Sequence, residues 1–296
     1  MKIASRHADG SGASGTLKSL STLTLAVLTV FFAAGPAWSA PILGAALKSF
    51  AVLGAAGVTN VPTSTIGGNL GSAPDPTTGG GYVFTAGSLQ PNTALAQQAQ
   101  LDLDAAILAV NAMGPGLTIG SDLTGTRLPG VYTVPAGITN LSGDLFLDGG
   151  GSNSAVWAFL FPSTLITSST SNVFVTNVGD GANVGIYWSV GSAATLDGPT
   201  FAGNVLAHDL ISSDGNLTLV CGRLLSAETQ VTLNQDTISG LCTGDVVTGG
   251  GGENVTSSGG FDQGLGNGPS GVPEPGSLAL LGLGLATLGL ARRRHG

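Results

Sequence analysis

The sequence predicts a mainly β fold: a β-helix (solenoid) of triangular cross-section with one long α-helix packed alongside. Three observations predict it. Glycine is abundant at 49 of 296 residues and charged residues make up only 9%. No internal segment is long enough to be a membrane span, so this composition points to a continuous buried core with tight turns. Short apolar stretches recur roughly 18 to 29 residues apart, in the range of β-helix coils. One segment breaks that rhythm with good helix formers.

The first strand of each coil is read at Val131–Val134, Val156–Phe161, Gly185–Val190, Asn204–Ala207 and Gly222–Leu225. A second strand, rich in Ser, Thr or Ala, follows at Ile138–Leu141, Thr164–Thr167, Ala194–Asp197, Leu210–Ser213 and Val231–Asn234. A third set follows at Asp144–Leu147, Asn172–Val175, Asn216–Leu219 and Asp236–Ile238. Three strands per coil imply three faces, and alternation puts every second residue inside. The helix starts at Pro91-Asn92-Thr93 and runs from Ala94 to Met113, ahead of Gly114-Pro115. Leu101, Ala105 and Leu108 share one of its faces, which is expected to cover one side of the solenoid. Upstream, Pro41–Ser88 has strand candidates at Ala51–Leu53 and Thr65–Leu70 and is expected to form a capping coil.

Charge excludes one class of partner. Between residues 40 and 271 the cations are Lys48, Arg127 and Arg223, against fifteen carboxylates. Nucleic acid needs clustered Lys and Arg for its phosphates, so it is not an expected partner. Outside the two ends the only histidine is His208, and no cluster of metal ligands is evident, so neither a metal nor a cofactor is expected. Cys221 and Cys242 are the full thiol complement; in an exported chain they read as a disulfide closing the last turn, the alternative being a reactive free thiol. Asp197, Asp209, Asp214 and His208 could fall within a coil or two of each other, but only Arg223 is nearby to meet an anionic substrate. No catalytic residue is assigned, and an enzyme is not expected.

Both ends read as processing segments. Lys2, Arg6 and Lys18 precede an apolar run from Leu20 to Ala34 and the small-residue site Ala37-Trp38-Ser39, giving a signal peptide over residues 1–39. The folded domain is expected over 40–243. Residues 244–271, dominated by Gly, Ser, Thr and Asn, read as a flexible linker. Over 272–296, Val272, Pro273, Glu274 and Pro275 precede an apolar stretch from Leu278 to Ala291 and then Arg292, Arg293 and Arg294. This order resembles the PEP-CTERM sorting signal of Gram-negative bacteria. The resemblance implies an exosortase-type processing enzyme as partner, transient membrane insertion of the apolar helix, and delivery to the cell surface or beyond. The arginines would stay cytoplasmic.

The domain itself resembles the ice-binding-like family of bacteria, fungi and algae. The resemblance rests on Pro41–Gly44 with Phe50–Leu53, Gly68–Gly71, the long helix, and Leu128–Tyr132. It continues in order through Leu147–Gly149, Ile186–Val190, Phe201–Ala207, Gly222–Leu225 and Val231–Leu233. It implies a right-handed β-helix, acting as a monomer, that binds an ice crystal surface through one flat face. Stacked coils repeat about every 4.7–4.9 Å, close to ice-lattice repeats. If Leu141, Leu196 and Leu233 point inward with Thr167 and Ser213 in register, the second strands present Asn140, Ile166, Thr195, Ser212 and Thr232 outward. Thr164, Ser168, Gln230 and Asn234 are further outward candidates. Asn140 and Ile166 interrupt a clean threonine ladder, and Asp197 and Asp214 follow on the same face. The alternative function is a structural or adhesive component of an extracellular matrix.

Overall fold

The computed structural model describes residues 42–242 and 261–262. The expected signal peptide, the sorting segment and the linker apart from Phe261-Asp262 lie outside the described residues. Among the described residues every pairing of one strand with another is parallel, and an isolated antiparallel bridge joins Gly185 to Asp262. Parallel neighbours joined by short corners are what a solenoid produces, each coil handing its strands to the next.

Three faces result. The first stacks Leu117–Thr118, Gly130–Thr133, Val156–Phe161, Gly185–Val190, the second halves of Thr200–Ala207 and Thr218–Ser226, then Phe50–Gly54, Asn69–Ser72 and Leu89–Pro91. The second face stacks Leu165–Ile166, Ala194–Leu196, Ile211–Ser213, Val231–Asn234 and Val58–Val61. The third begins with Gly125–Arg127, Leu145–Asp148 and Val173–Thr176. It continues through the first halves of the two long strands to Thr237–Ser239, Ser64–Gly67 and Tyr82–Ala86. The long strands turn the corner at a bulge between Ala202 and Asn204. Gly203 sits there at φ +97, a left-handed conformation that side chains rarely adopt.

Inside, one column runs unbroken through Tyr132, Phe159, Trp188, Val205, Leu224, Val52 and Leu70. The rings of Tyr132 and Phe159 lie 5.4 Å apart and those of Phe159 and Trp188 4.4 Å apart, with Phe201 4.8 Å beyond. Burying each such side chain is worth about 1.5–3 kcal/mol, and stacking adds to it. The two buried indoles donate to the carbonyls of Arg127 and Ala202, so neither leaves an unmet donor.

Coil order departs from the expectation. The coil beginning at Phe50 is interior, not a cap: Val52 pairs with Leu224, Val58 with Val231 and Thr65 with Thr237. All five residues of Phe50–Gly54 are buried, because a coil lies on either side and a helix lies above. The first described coil thus lies mid-stack, and from it the chain proceeds to one tip at Tyr82–Pro91 and crosses to the other tip through the helix α2, Ala94–Asn111. It then coils back until its last turn meets its first.

Thr93 caps α2, its hydroxyl accepting from the Ala96 amide at 3.2 Å. The seam it buries is Ala96, Ala99, Leu103, Ala106 and Val110, not the expected face. Leu101 and Leu108 are 63% and 70% exposed. Three alanines let the helix axis approach the sheet closely, where larger side chains would hold it away. The short helix α1, Ala45–Lys48, is held against α2 by Asp102, whose carboxylate accepts from the Ala46 and Leu47 amides at 3.1 and 3.3 Å.

Cys221 and Cys242 are bonded. Beside them, Phe261 and Asp262 dock on the solenoid although they fall in the expected linker. Phe261 is fully buried and donates its amide to the Cys221 carbonyl. Asp262, also buried, takes an ion pair from Lys48 at 2.9 Å with Arg223 at 4.0 Å. Arg223 in turn donates to Asn204 and to the Lys48 carbonyl. The buried guanidinium therefore ties first coil, last coil and downstream segment together.

Candidate functional site

The second face carries the predicted surface, and its inward rows explain its rigidity. Leu165, Ala194, Ile211, Val231 and Val58 form one apolar row in register. The next inward row includes two polar positions, Thr167 and Ser213. The Thr167 hydroxyl accepts from the amides of Asp197 and Gly198 at 2.9 and 3.3 Å. Ser213 donates to Asp236, and that buried carboxylate also accepts from the Asn234 and Leu217 amides at 2.8 and 3.0 Å. Burial pushes the Asp236 carboxyl up, against those hydrogen bonds. The Thr167 and Ser213 hydroxyls and the Asp236 carboxylate are thus satisfied internally, which fixes the backbone on which the outward side chains stand.

Outward, Ile166, Thr195, Ser212 and Thr232 stand in one column, as the alternation predicted, all partly exposed. The column continues onto Thr59, which sequence reasoning missed. Thr59 Oγ1 donates to Thr232 Oγ1 at 3.0 Å. Five positions at about 4.8 Å span about 19 Å. Asn140 does not join them. It is fully buried, accepts from the Ile166 amide at 3.0 Å and donates to the Ser121 carbonyl at 3.2 Å, sealing the end of the sheet. The expected strand Ile138–Leu141 is reduced to a single bridge from Leu141 to Thr167, and Ile138 is 95% exposed.

The remaining candidates flank this column. Thr164 and Gln230 lie upstream of it, both partly exposed, in line with Ala193 and Leu210. Ser168 and Asn234 lie downstream, in line with Asp197 and Asp214. Burial first, and then the neighbouring Asp214, raise the Asp197 carboxyl above the ordinary carboxylate range. The face is therefore hydroxyl- and methyl-bearing along its centre and anionic along one edge.

No catalytic constellation forms from the acidic residues and His208. The His208 imidazole pairs with Asp209 at 3.1 Å at one edge of this face, while Asp197 and Asp214 stand at the other. Five extended steps along the chain separate Asp209 from Asp214, about 16 Å. Arg223 is enclosed with Asp262, away from any of them. Among the described residues no group of three or more His, Cys, Asp or Glu could hold a metal ion.

Residues 52–239 match the family described as ice-binding-like, and residues 271–294 match the PEP-CTERM protein-sorting motif. An ice-binding protein of Nostoc sp. (strain HG1) is 34% identical over 278 residues, covering 92% of this chain and 94% of its own. One of Colwellia sp. is 30% identical over 207 residues, 64% of this chain and 80% of its own. Among solved structures, an ice-binding protein from an Antarctic biological consortium superposes with a TM-score of 0.61 at 30% identity, over 69% of this chain and 93% of its own. One from the Antarctic ascomycete Antarctomyces psychrotrophicus gives 0.61 at 31%, over 68% and 98%.

Proposed function

Because this chain belongs to the ice-binding-like family, we propose that it is an exported protein that adsorbs to ice and slows its growth or recrystallisation. The observation that carries the reading is the column Ile166, Thr195, Ser212, Thr232 and Thr59: five side chains that reach the surface in unbroken register, with α2 packed on a different face. Methyl and hydroxyl groups repeating at the coil spacing order adjacent water on a rigid template. Many weak contacts then sum, each too small to hold alone. The process involves no covalent step, cofactor or metal, and the chain acts as a monomer. An exosortase-type enzyme processes the sorting segment after its transient insertion in the membrane, placing the domain at the surface of a Gram-negative cell or outside it.

Thermal hysteresis and inhibition of ice recrystallisation, measured on the purified full-length chain, test this. Activity is expected in the parent, with a loss of most of it in Thr195→Tyr and Thr232→Tyr while the circular dichroism stays unchanged. A parent without either activity would sink the proposal. It would favour the second reading, a matrix or adhesive protein, to which the anionic edge at Asp197 and Asp214 lends weight, since carboxylates order their own hydration.

A further inference from the structure

A second regular array stands on the third face. Thr200 pairs with Thr218, Thr218 with Thr237, and Thr237 with Thr65, and the row ends on Val83. These are four threonines on four successive coils, one per coil. The inward partners that follow them, Phe201, Leu219, Ile238 and Ile66, hold the same register within the core. Both irregularities in these pairings, between Ala202 and Asn204 and between Ile66 and Gly67, fall after the threonines, so the column itself is unbroken.

The chemistry differs from that of the second face. All four threonines are at least partly exposed, Thr237 the most. Among the described residues no protein group hydrogen-bonds to any of the four hydroxyls, whereas Thr59 and Thr232 on the second face bond to each other. No Asp, Glu, Lys or Arg occurs in Thr200–Ala202, Thr218–Val220, Thr237–Ser239, Ser64–Gly67 or Tyr82–Ala86. Along the stack, charge reappears past Asn172, which bridges to Thr200 and donates to Asp144 at 2.8 Å, and the carboxylate next to the column, Asp236 before Thr237, is buried. The helix covers the first face and leaves this one open.

From this geometry we infer that the third face is an additional ice-contacting surface, with Thr200, Thr218, Thr237, Thr65 and Val83 as its contact column. The inference rests on the ice-binding reading and extends it from one plane to two. Five positions at the coil spacing span about 19 Å, the same length as the column on the second face. Uncommitted hydroxyls take up lattice water positions without first breaking a protein hydrogen bond, and the absent charges leave no competing hydration shell. The two surfaces face different directions on one rigid body, so they engage crystal planes of different orientation.

The test uses the full-length chain carrying Thr218→Tyr and Thr237→Tyr together, beside Thr195→Tyr with Thr232→Tyr, and the two pairs combined. Thr237→Asp, at the exposed threonine of the column, supplies a third-face variant away from the bulge at Gly203. Thermal hysteresis, recrystallisation inhibition and the pattern of fluorescently labelled protein on a single-crystal ice hemisphere are read for each. The expected result is a several-fold loss of hysteresis in both third-face variants at unchanged melting temperature, removal of one set of planes from the hemisphere, and a deeper loss when both faces are changed. Parental activity and an unaltered plane pattern in folded third-face variants, with activity lost in the second-face pair, would overturn this inference and leave the ice-binding reading intact. An inactive parent would overturn both.

Discussion

The covered and open faces of this solenoid are built by the same coils and differ only in what stands outward. On the first face Leu206, Leu225 and Leu53 project from three successive coils and are buried beneath α2. Six or seven residues later the same coils present Ser212, Thr232 and Thr59 on the open second face. Both faces stand on an apolar inward row, Val205, Leu224 and Val52 under the first and Ile211, Val231 and Val58 under the second. The outward rows thus decide which side recruits a helix and which meets water, and a single coil can pay for its stability on one side while leaving the other free for recognition.

Substitutions on either side sharpen that division. Leu103→Ala, in the seam of α2, should lower unfolding free energy by about 2–5 kcal/mol, measured by denaturant titration, because a fully buried side chain leaves a cavity. Replacing Cys221 and Cys242 with Ser together should cost about 2–4 kcal/mol in the same assay through the freed 21-residue separation. Asp197→Asn should raise the melting temperature at pH 7. The raised carboxyl binds its proton more tightly in the folded chain, so its contribution is present below the ordinary aspartate value of about 3.9 and lost as pH rises through the folded value. The variant should therefore converge with the parent below that range, as melts at pH 3 and pH 7 will report. Thr195→Ala, partly exposed on the open face, should move stability by no more than about 0.5 kcal/mol. A loss at Thr195 as large as that at Leu103 would break the division.

Strand periodicity carried much of this architecture. Leu141, Leu196 and Leu233 do lie on inward rows, and Thr195, Ser212 and Thr232 do align, because alternation is a local property of each strand. Thr59 and Thr65 were not assigned to their columns because their partners, Thr232 and Thr237, lie more than 170 residues downstream, and no local pattern encodes that adjacency. The helix seam was misplaced because Leu101 and Leu108 outweigh Ala96, Ala99 and Ala106 on any hydrophobic scale, although closeness of approach favours the alanines. Asn140 is polar and yet buried, for its hydrogen bonds to Ile166 and Ser121 are made by neighbours that only the fold supplies.

The crossing helix acts as a ruler. Its 18 residues reach about 27 Å, and together with its flanking turns they must bridge the nine strands stacked on the face beneath. Each added coil lengthens that path by about 4.8 Å, roughly three helical residues. A variant with a broader ice-facing surface must therefore lengthen α2 by nearly one turn per coil, and a coil inserted without that extension will strain the connection between the tips.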